Sequence, residues 1–131
     1  MPQATDLVLK DHSGTDRTFT LLTPAAGYGT PAEWAYKVGP VRIGFPNIQL
    51  VAQRQPGNVS SNAKLKFRFP VVVDSPSTGL PQKVATWEAN LSVTEPDAFP
   101  ESSRDDAVAF LASAIGSTLV KLCLRDGLPA N

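Results

Sequence analysis

Residues 63–69 read Ala63-Lys64-Leu65-Lys66-Phe67-Arg68-Phe69. Leu65, Phe67 and Phe69 alternate with Lys64, Lys66 and Arg68, so an extended chain here has one apolar face and one wholly cationic face. This is the clearest strand in the chain, and the rest can be placed around it. A second long strand is predicted from Val84 to about Thr94. Within it Trp87, Ala89, Leu91 and Val93 point one way and Glu88, Asn90, Ser92 and Thr94 the other. On the N-terminal side, Ile48 to Gln55 reads as a strand closed by the turn signal Pro56-Gly57-Asn58.

Further out, Leu7 to Leu9, a turn from Asp11 to Asp16, and Arg17 to Thr23 form a hairpin candidate with Gly14 in its turn. Pro24 to Pro31 is loop, and Glu33 to Val38 has the aromatic content of a short strand. Val41 to Pro46, bounded by Pro40 and Pro46 and broken by Gly44, is at best an irregular or edge element. The period changes after Pro100. Ser102 and Ser103 precede Asp105 and Asp106, acids that favour a helix N-terminus. Val108, Leu111, Ala112 and Ile115 follow at helical spacing, which predicts an amphipathic helix. Gly116 and Ser117 interrupt it. Thr118 to Asp126 makes a second helix, with Leu119, Leu122 and Cys123 inward and Gly127 and Pro129 as stops. A run of strands followed by two helices is an α+β pattern. Two short helices cover a broad sheet thinly, so a partner chain completing the core is expected, and with it a homodimer.

The 131 residues carry 12 basic and 12 acidic side chains, and 18% of residues are charged. A length of this order predicts one domain with a single core. The zero balance disfavours a globally basic nucleic-acid binder, yet the charges segregate. Residues 48–90 hold Arg54, Lys64, Lys66, Arg68 and Lys83 against Asp74 and Glu88, a net +3. Residues 91–131 sum to −3 and residues 1–47 to zero. Three cations on one strand face repel unless something anionic lies opposite. One reading is a solvated sheet face whose lysines discourage edge pairing. The other is a polyanion surface, with Lys64, Lys66 and Arg68 on phosphates and Asn90, Ser92 and Thr94 on sugars or base edges. Single-stranded or looped RNA suits a sheet face. Without aromatics on that face, backbone binding is favoured over stacking.

Other classes fall away. One cysteine, Cys123, makes no intramolecular disulfide or thiolate zinc site, and the one histidine, His12, lies in a turn with no metal-ligand spacing around it. No nucleophile has a base: Cys123 reads as core, Asp105 and Asp106 point apart in a helix's first turn, and Gly27-Tyr28-Gly29 lacks the strand–turn–helix context of a phosphate loop. No enzyme activity, cofactor or metal is predicted. The first residues lack a signal peptide's charged and apolar regions, and no apolar run approaches a bilayer span of about 20 residues. The sequence predicts a soluble, unprocessed chain made in the cytosol, without a membrane partner.

The order of several strings resembles a known family. Phe19 to Thr23, Ala32-Glu33-Trp34, Arg54-Gln55, Lys66 to Pro70, Leu80-Pro81, Val84 to Trp87 and Asn90 to Pro96 fall in the same order as in the coat (capsid) proteins of single-stranded RNA bacteriophages, the leviviruses. The resemblance runs from about Asp6 to Pro129. It implies an N-terminal hairpin (residues 6–23), a five-stranded antiparallel sheet (33–94) and two C-terminal helices (101–126), forming one coat-protein domain over residues 1–131 and an interlocked homodimer.

The family's function follows as an expectation. Dimers would build an icosahedral shell around single-stranded genomic RNA, made in the bacterial host's cytoplasm and ending in the virion, with a phage maturation protein as a further partner. In several members a coat dimer also binds a genomic hairpin and represses translation. Carried over, the RNA face comprises Arg54, Lys64, Lys66, Arg68, Asn90, Ser92 and Thr94. The loop joining dimers comprises Asp74, Ser75, Pro76, Ser77, Thr78 and Gly79. Leu50 and Ala52 fall where other members place small hydroxyl residues that hold a flipped adenine, and Asn90 where some place a stacking tyrosine. These departures bear on hairpin readout rather than on general packaging. The two readings of Ile48, Leu50 and Ala52 oppose each other: the residue pattern makes them the apolar side of their strand, while the resemblance turns them toward RNA. The alternative function is a small dimeric RNA-binding regulator that forms no shell.

Overall fold

The computed structural model describes residues 3–39, 41–55, 57 and 59–130. Pro40, and Pro56 and Asn58 of the predicted turn, lie outside the described residues, as do Met1, Pro2 and Asn131. The chain divides into two compact units, a sheet unit ending at Glu95 and a helical unit from Pro96. Six strands form one antiparallel sheet in chain order: β1 (Leu7–Lys10), β2 (Asp16–Thr23), β3 (Ala32–Ala35), β4 (Asn47–Arg54), β5 (Ser60–Asp74) and β6 (Pro81–Pro96). The helical unit contains α1 (Glu101–Gly116) and α2 (Thr118–Asp126).

The α+β order, the hairpin and the two terminal helices are as expected. The strand count is not. A separate hairpin beside a five-stranded sheet is replaced by one six-stranded sheet, because β2 pairs with both β1 and β3. The irregular stretch around Gly44 is a single 3-10 turn at Arg42–Gly44 rather than a strand. That turn lies against β5, where a Cβ on Gly44 would meet the Val72 side chain at 3.3 Å.

β5 runs past the expected end at Phe69, through Pro70, to Asp74. The last β4 pair is Asn47 with Arg68. Pro70 therefore sits where β5 has lost its β4 neighbour, and a missing N–H there leaves no β4 carbonyl unpaired.

The register of β4 and β5 decides which side chains share a face. Ile48 pairs with Phe67, Leu50 with Leu65 and Ala52 with Ala63, and β3 continues this row with Trp34 opposite Ile48 and Ala32 opposite Leu50. Phe19, Ala32, Trp34 and Ile48 form the buried cluster, with Leu7, Leu21, Tyr36, Leu65 and Phe67 packed against it. The rings of Phe19 and Phe67 lie 6.5 Å apart although their strands are three positions apart in the sheet. In a flat sheet that separation would be about 14 Å. The hairpin therefore curls over the apolar face, and the Trp34 Nε1–H pins it there by donating to the Thr5 carbonyl at 2.7 Å.

In the helical unit, Ser117 ends α1 and begins α2, and the two axes are bent by 59°. Gly127 takes φ 66° and returns its N–H to the Cys123 carbonyl, as a helix-ending glycine does. The predicted one-sided stripe on α1 is not what the helix presents. Val108 is 66% exposed, and Phe110, on the side away from Val108, Leu111, Ala112 and Ile115, is 73% exposed. Leu119 and Leu122 of α2, expected inward, are also exposed, and Cys123 is half-buried. A helix apolar on both sides is one that needs cover on both.

Candidate nucleic-acid interface

The face of β4, β5 and β6 opposite the buried cluster carries the polar side chains. Alternation from the apolar row places Asn47, Gln49, Val51 and Gln53 of β4 beside Arg68, Lys66, Lys64 and Asn62 of β5. On the other side of β5, Asn62 donates to the Thr94 hydroxyl at 3.5 Å and accepts from the Ser92 hydroxyl at 3.3 Å. Arg68 Nε donates to Glu88 Oε1 at 2.8 Å. Lys64, Lys66, Arg68, Asn90, Ser92 and Thr94 are thus brought onto one surface. A recess of about 440 Å³ opens there among Pro31, Gln49, Val51, Lys64, Lys66, Asn90 and Ser92.

Arg54 is not part of this surface. It pairs with Ser61 and donates from Nη1 to the Ser61 hydroxyl at 3.0 Å. Its place in the alternation is the row of Leu50 and Ala52, not that of Lys64. The same register settles the opposed readings of β4: Ile48, Leu50 and Ala52 lie on the apolar face, and Gln49 and Val51 take the cationic side. A one-residue difference in register exchanges the two faces of a strand, which is why aligned strings alone misplace them.

The face is also less cationic than the β5 sequence implies. Glu88 Oε1 lies 3.8 Å from Lys66 Nζ as well as accepting from Arg68. Glu33 of β3 stands opposite Gln49 and accepts its side-chain amide at 3.0 Å. Three cations thus share the face with two carboxylates. Among the described residues no carboxylate pairs with Lys64. Gln49, Asn62 and Glu33 were not among the sequence-predicted site residues. Their signal was present only as strand alternation, and it needed the register of β3 and β4 to be read. Amides, hydroxyls and partly paired cations on an open sheet face can hydrogen-bond and neutralise phosphate, and they offer no acid–base pair for catalysis.

The expected loop is displaced by one residue from its sequence limits. Asp74 ends β5 and Pro81 begins β6, leaving residues 75–80 as the turn. The Ser75 N–H donates to the Leu80 carbonyl at 2.8 Å and the Gly79 N–H to the Ser75 carbonyl at 2.7 Å, with Gly79 at φ 69°. The Ser75 and Ser77 hydroxyls are 3.1 Å apart. Among the described residues no single helix is long and apolar enough to cross a membrane.

The amino-acid sequence that folds in this way is matched by a family model for the levivirus coat protein over residues 2–127. The chain belongs to the levivirus coat protein family. Levivirus coat proteins are structural capsid proteins, not enzymes. No curated protein sequence matches the chain. Among solved structures, the virus-like particle of bacteriophage NT-214 is similar at 23% identity and TM-score 0.84, covering 99% of this chain and 100% of that one. The virus-like particle of Beihai levi-like virus 21 is similar at 16% identity and TM-score 0.86, covering 99% of both chains. The bacteriophage GA protein capsid is similar at 19% identity and TM-score 0.74, covering 95% of both. At these identities the likeness to each of these structures is one of fold.

Proposed function

We propose that this levivirus coat protein acts as one coat-protein domain that dimerises, assembles into a closed icosahedral shell and packages single-stranded RNA against the β4–β6 face. The observation that carries the RNA reading is the convergence of Lys64, Lys66 and Arg68 with Asn90, Ser92 and Thr94 on one open sheet surface. Cations there neutralise phosphates and release counterions, and the amides and hydroxyls hydrogen-bond sugars and bases. The dimer reading rests on exposed apolar surface in both units. Phe69, Val71 and Trp87 of the sheet unit, and Val108, Phe110 and Leu119 of the helical unit, are each about half exposed or more. Large exposed apolar side chains mark protein–protein contact surfaces when they cluster. Assembly follows the order dimer, then inter-dimer contacts through residues 74–79, then closure as RNA neutralises the basic face. The mature location is the virion. The recess beside Gln49 and Asn90 is where a looped-out base of a genomic hairpin would be read if the dimer also represses translation.

Electron microscopy of the purified protein, with the nucleic-acid absorbance of the same sample, tests this directly. Closed particles containing RNA are expected. A dimer with no particle and no nucleic acid would overturn the shell reading in favour of a regulator. Reversing charge together at Lys64, Lys66 and Arg68 should strip RNA while leaving the protein folded. Unchanged RNA content would remove this face from packaging.

A further inference from the structure

We infer that Glu88 is a built-in competitor for RNA phosphate on the basic face, and so sets how readily that face takes up polyanion. This inference rests on the RNA-binding reading above. A single carboxylate oxygen, Glu88 Oε1, accepts from Arg68 Nε at 2.8 Å and stands 3.8 Å from Lys66 Nζ. These are the donors that a phosphate oxygen would take, and a carboxylate is the side chain that most closely imitates it. The Lys66, Arg68 and Glu88 side chains are 36%, 42% and 44% exposed, so a polymer can reach them. An ion pair this exposed adds little to folding stability. Its consequence is therefore for the surface more than for the fold. The other acid on the face, Glu33, is tied to the Gln49 amide and not to a cation.

The face is thereby divided. Lys64 stands without a carboxylate partner among the described residues, while Lys66 and Arg68 are held in reserve. A passing polyanion that touches one site meets a single open cation. RNA that lies along the whole face displaces Glu88 and gains all three. Competition of this kind weakens short-lived contacts and leaves extended ones to dominate.

The test uses purified, nucleic-acid-free protein and a short single-stranded oligouridylate, titrated by fluorescence anisotropy over a series of salt concentrations. Glu88→Gln, which keeps the shape and removes the charge, should tighten binding by about fivefold at low salt. It should also steepen the dependence of log affinity on log salt by about 0.7 for each phosphate newly held, up to about 1.4 for both cations. In a Lys66→Gln, Arg68→Gln background the same substitution should leave the salt slope unchanged and give a smaller gain in affinity, because no cation is freed and only the repulsion of a bare carboxylate is relieved. Wild-type affinity and slope in Glu88→Gln, or an equal gain in that background, overturns the inference. Should Glu88→Gln fail to fold by circular dichroism, Glu88→Ser carries the same expectation. A triple Lys64→Gln, Lys66→Gln, Arg68→Gln variant separates the two levels. If it binds as the wild type does, the RNA face itself is wrong. If it loses binding while Glu88→Gln is unaltered, only the role of Glu88 falls.

Discussion

Asp11, at the tip of the N-terminal hairpin, shows how much one partly exposed carboxylate can organise. Its Oδ1 accepts from the Ser13 hydroxyl at 2.8 Å and from the Ser13 and Thr15 N–H groups at 3.0 Å, and its Oδ2 accepts from Arg17 Nε at 3.0 Å. The Ser13 hydroxyl, then the Thr15 N–H, then Arg17 hold the carboxyl down at about 2, against its ordinary 3.8. Because the folded value lies below the unfolded one, this contribution to stability is complete above about pH 4 and is lost as pH falls toward 2. We expect the Asp11 carboxyl to titrate near 2 in an NMR pH series on unassembled protein. The amides of residues 11–17 should keep their native shifts down to about pH 3. A titration at the ordinary aspartate value would show that the contacts do not form in solution. His12 and Gly14 complete the turn, with Gly14 at φ 85°, so the one histidine belongs to a hairpin tip, as its neighbours in sequence imply.

At the scale of elements, β5 and β6 form a long hairpin with both the candidate RNA surface and the 75–80 turn on it. The basic residues sit in its middle, between positions 62 and 94 at one end and the turn at the other. The two functions are therefore separable along the same pair of strands. Deleting Ser75 to Thr78 should shorten the turn without touching Lys64, Lys66 or Arg68. The expected outcome is RNA binding retained, with particles of altered size or failing to close, measured by electron microscopy and oligonucleotide titration on the same preparation. Normal particles would remove residues 74–79 from inter-dimer contacts. The helices show a comparable division. Ser117 donates its hydroxyl to the Ala114 carbonyl at 2.8 Å and accepts the Val120 N–H at 3.4 Å, closing one helix and opening the next in a single residue.

For the whole molecule, the deciding quantity is how little a single chain buries. Among the described residues the buried hydrophobic ones are Phe19, Ala32, Trp34, Ala35 and Ile48, and Pro46 is fully enclosed, while large apolar side chains stay open along β5, β6, α1 and α2. A chain of 131 residues ordinarily buries well over half of the surface its unfolded form exposes. A second copy supplies the missing cover in the proposed dimer. Phe110, 73% exposed and on the side of α1 away from the predicted stripe, is the sharpest probe of it. Phe110→Glu should shift sedimentation from dimer toward monomer and abolish particles. A variant that sediments as the wild type does would take that side of α1 out of the interface.

Strand alternation at residues 63–69 and 84–94, the helical period after Pro100, and the stops at Gly127 and Pro129 were all legible in the sequence. Each depends on neighbours a few positions away, and local sterics and polarity decide them. So was the family, from strings spread in order over the chain. What the sequence could not supply was register. Whether Leu50 or Gln49 stands beside Lys66 depends on how β4 hydrogen-bonds to β5, and a slip of one residue inverts the answer. The same holds for Arg54, which the family resemblance put on the basic face and its pairing with Ser61 puts on the other. Charge balance shows the point most directly. Composition separates a +3 segment from a −3 segment. Only the folded sheet sets Glu88 against Arg68 and Lys66, and Glu33 beside Gln49, because contact between distant residues is fixed by tertiary pairing and not by their separation along the chain.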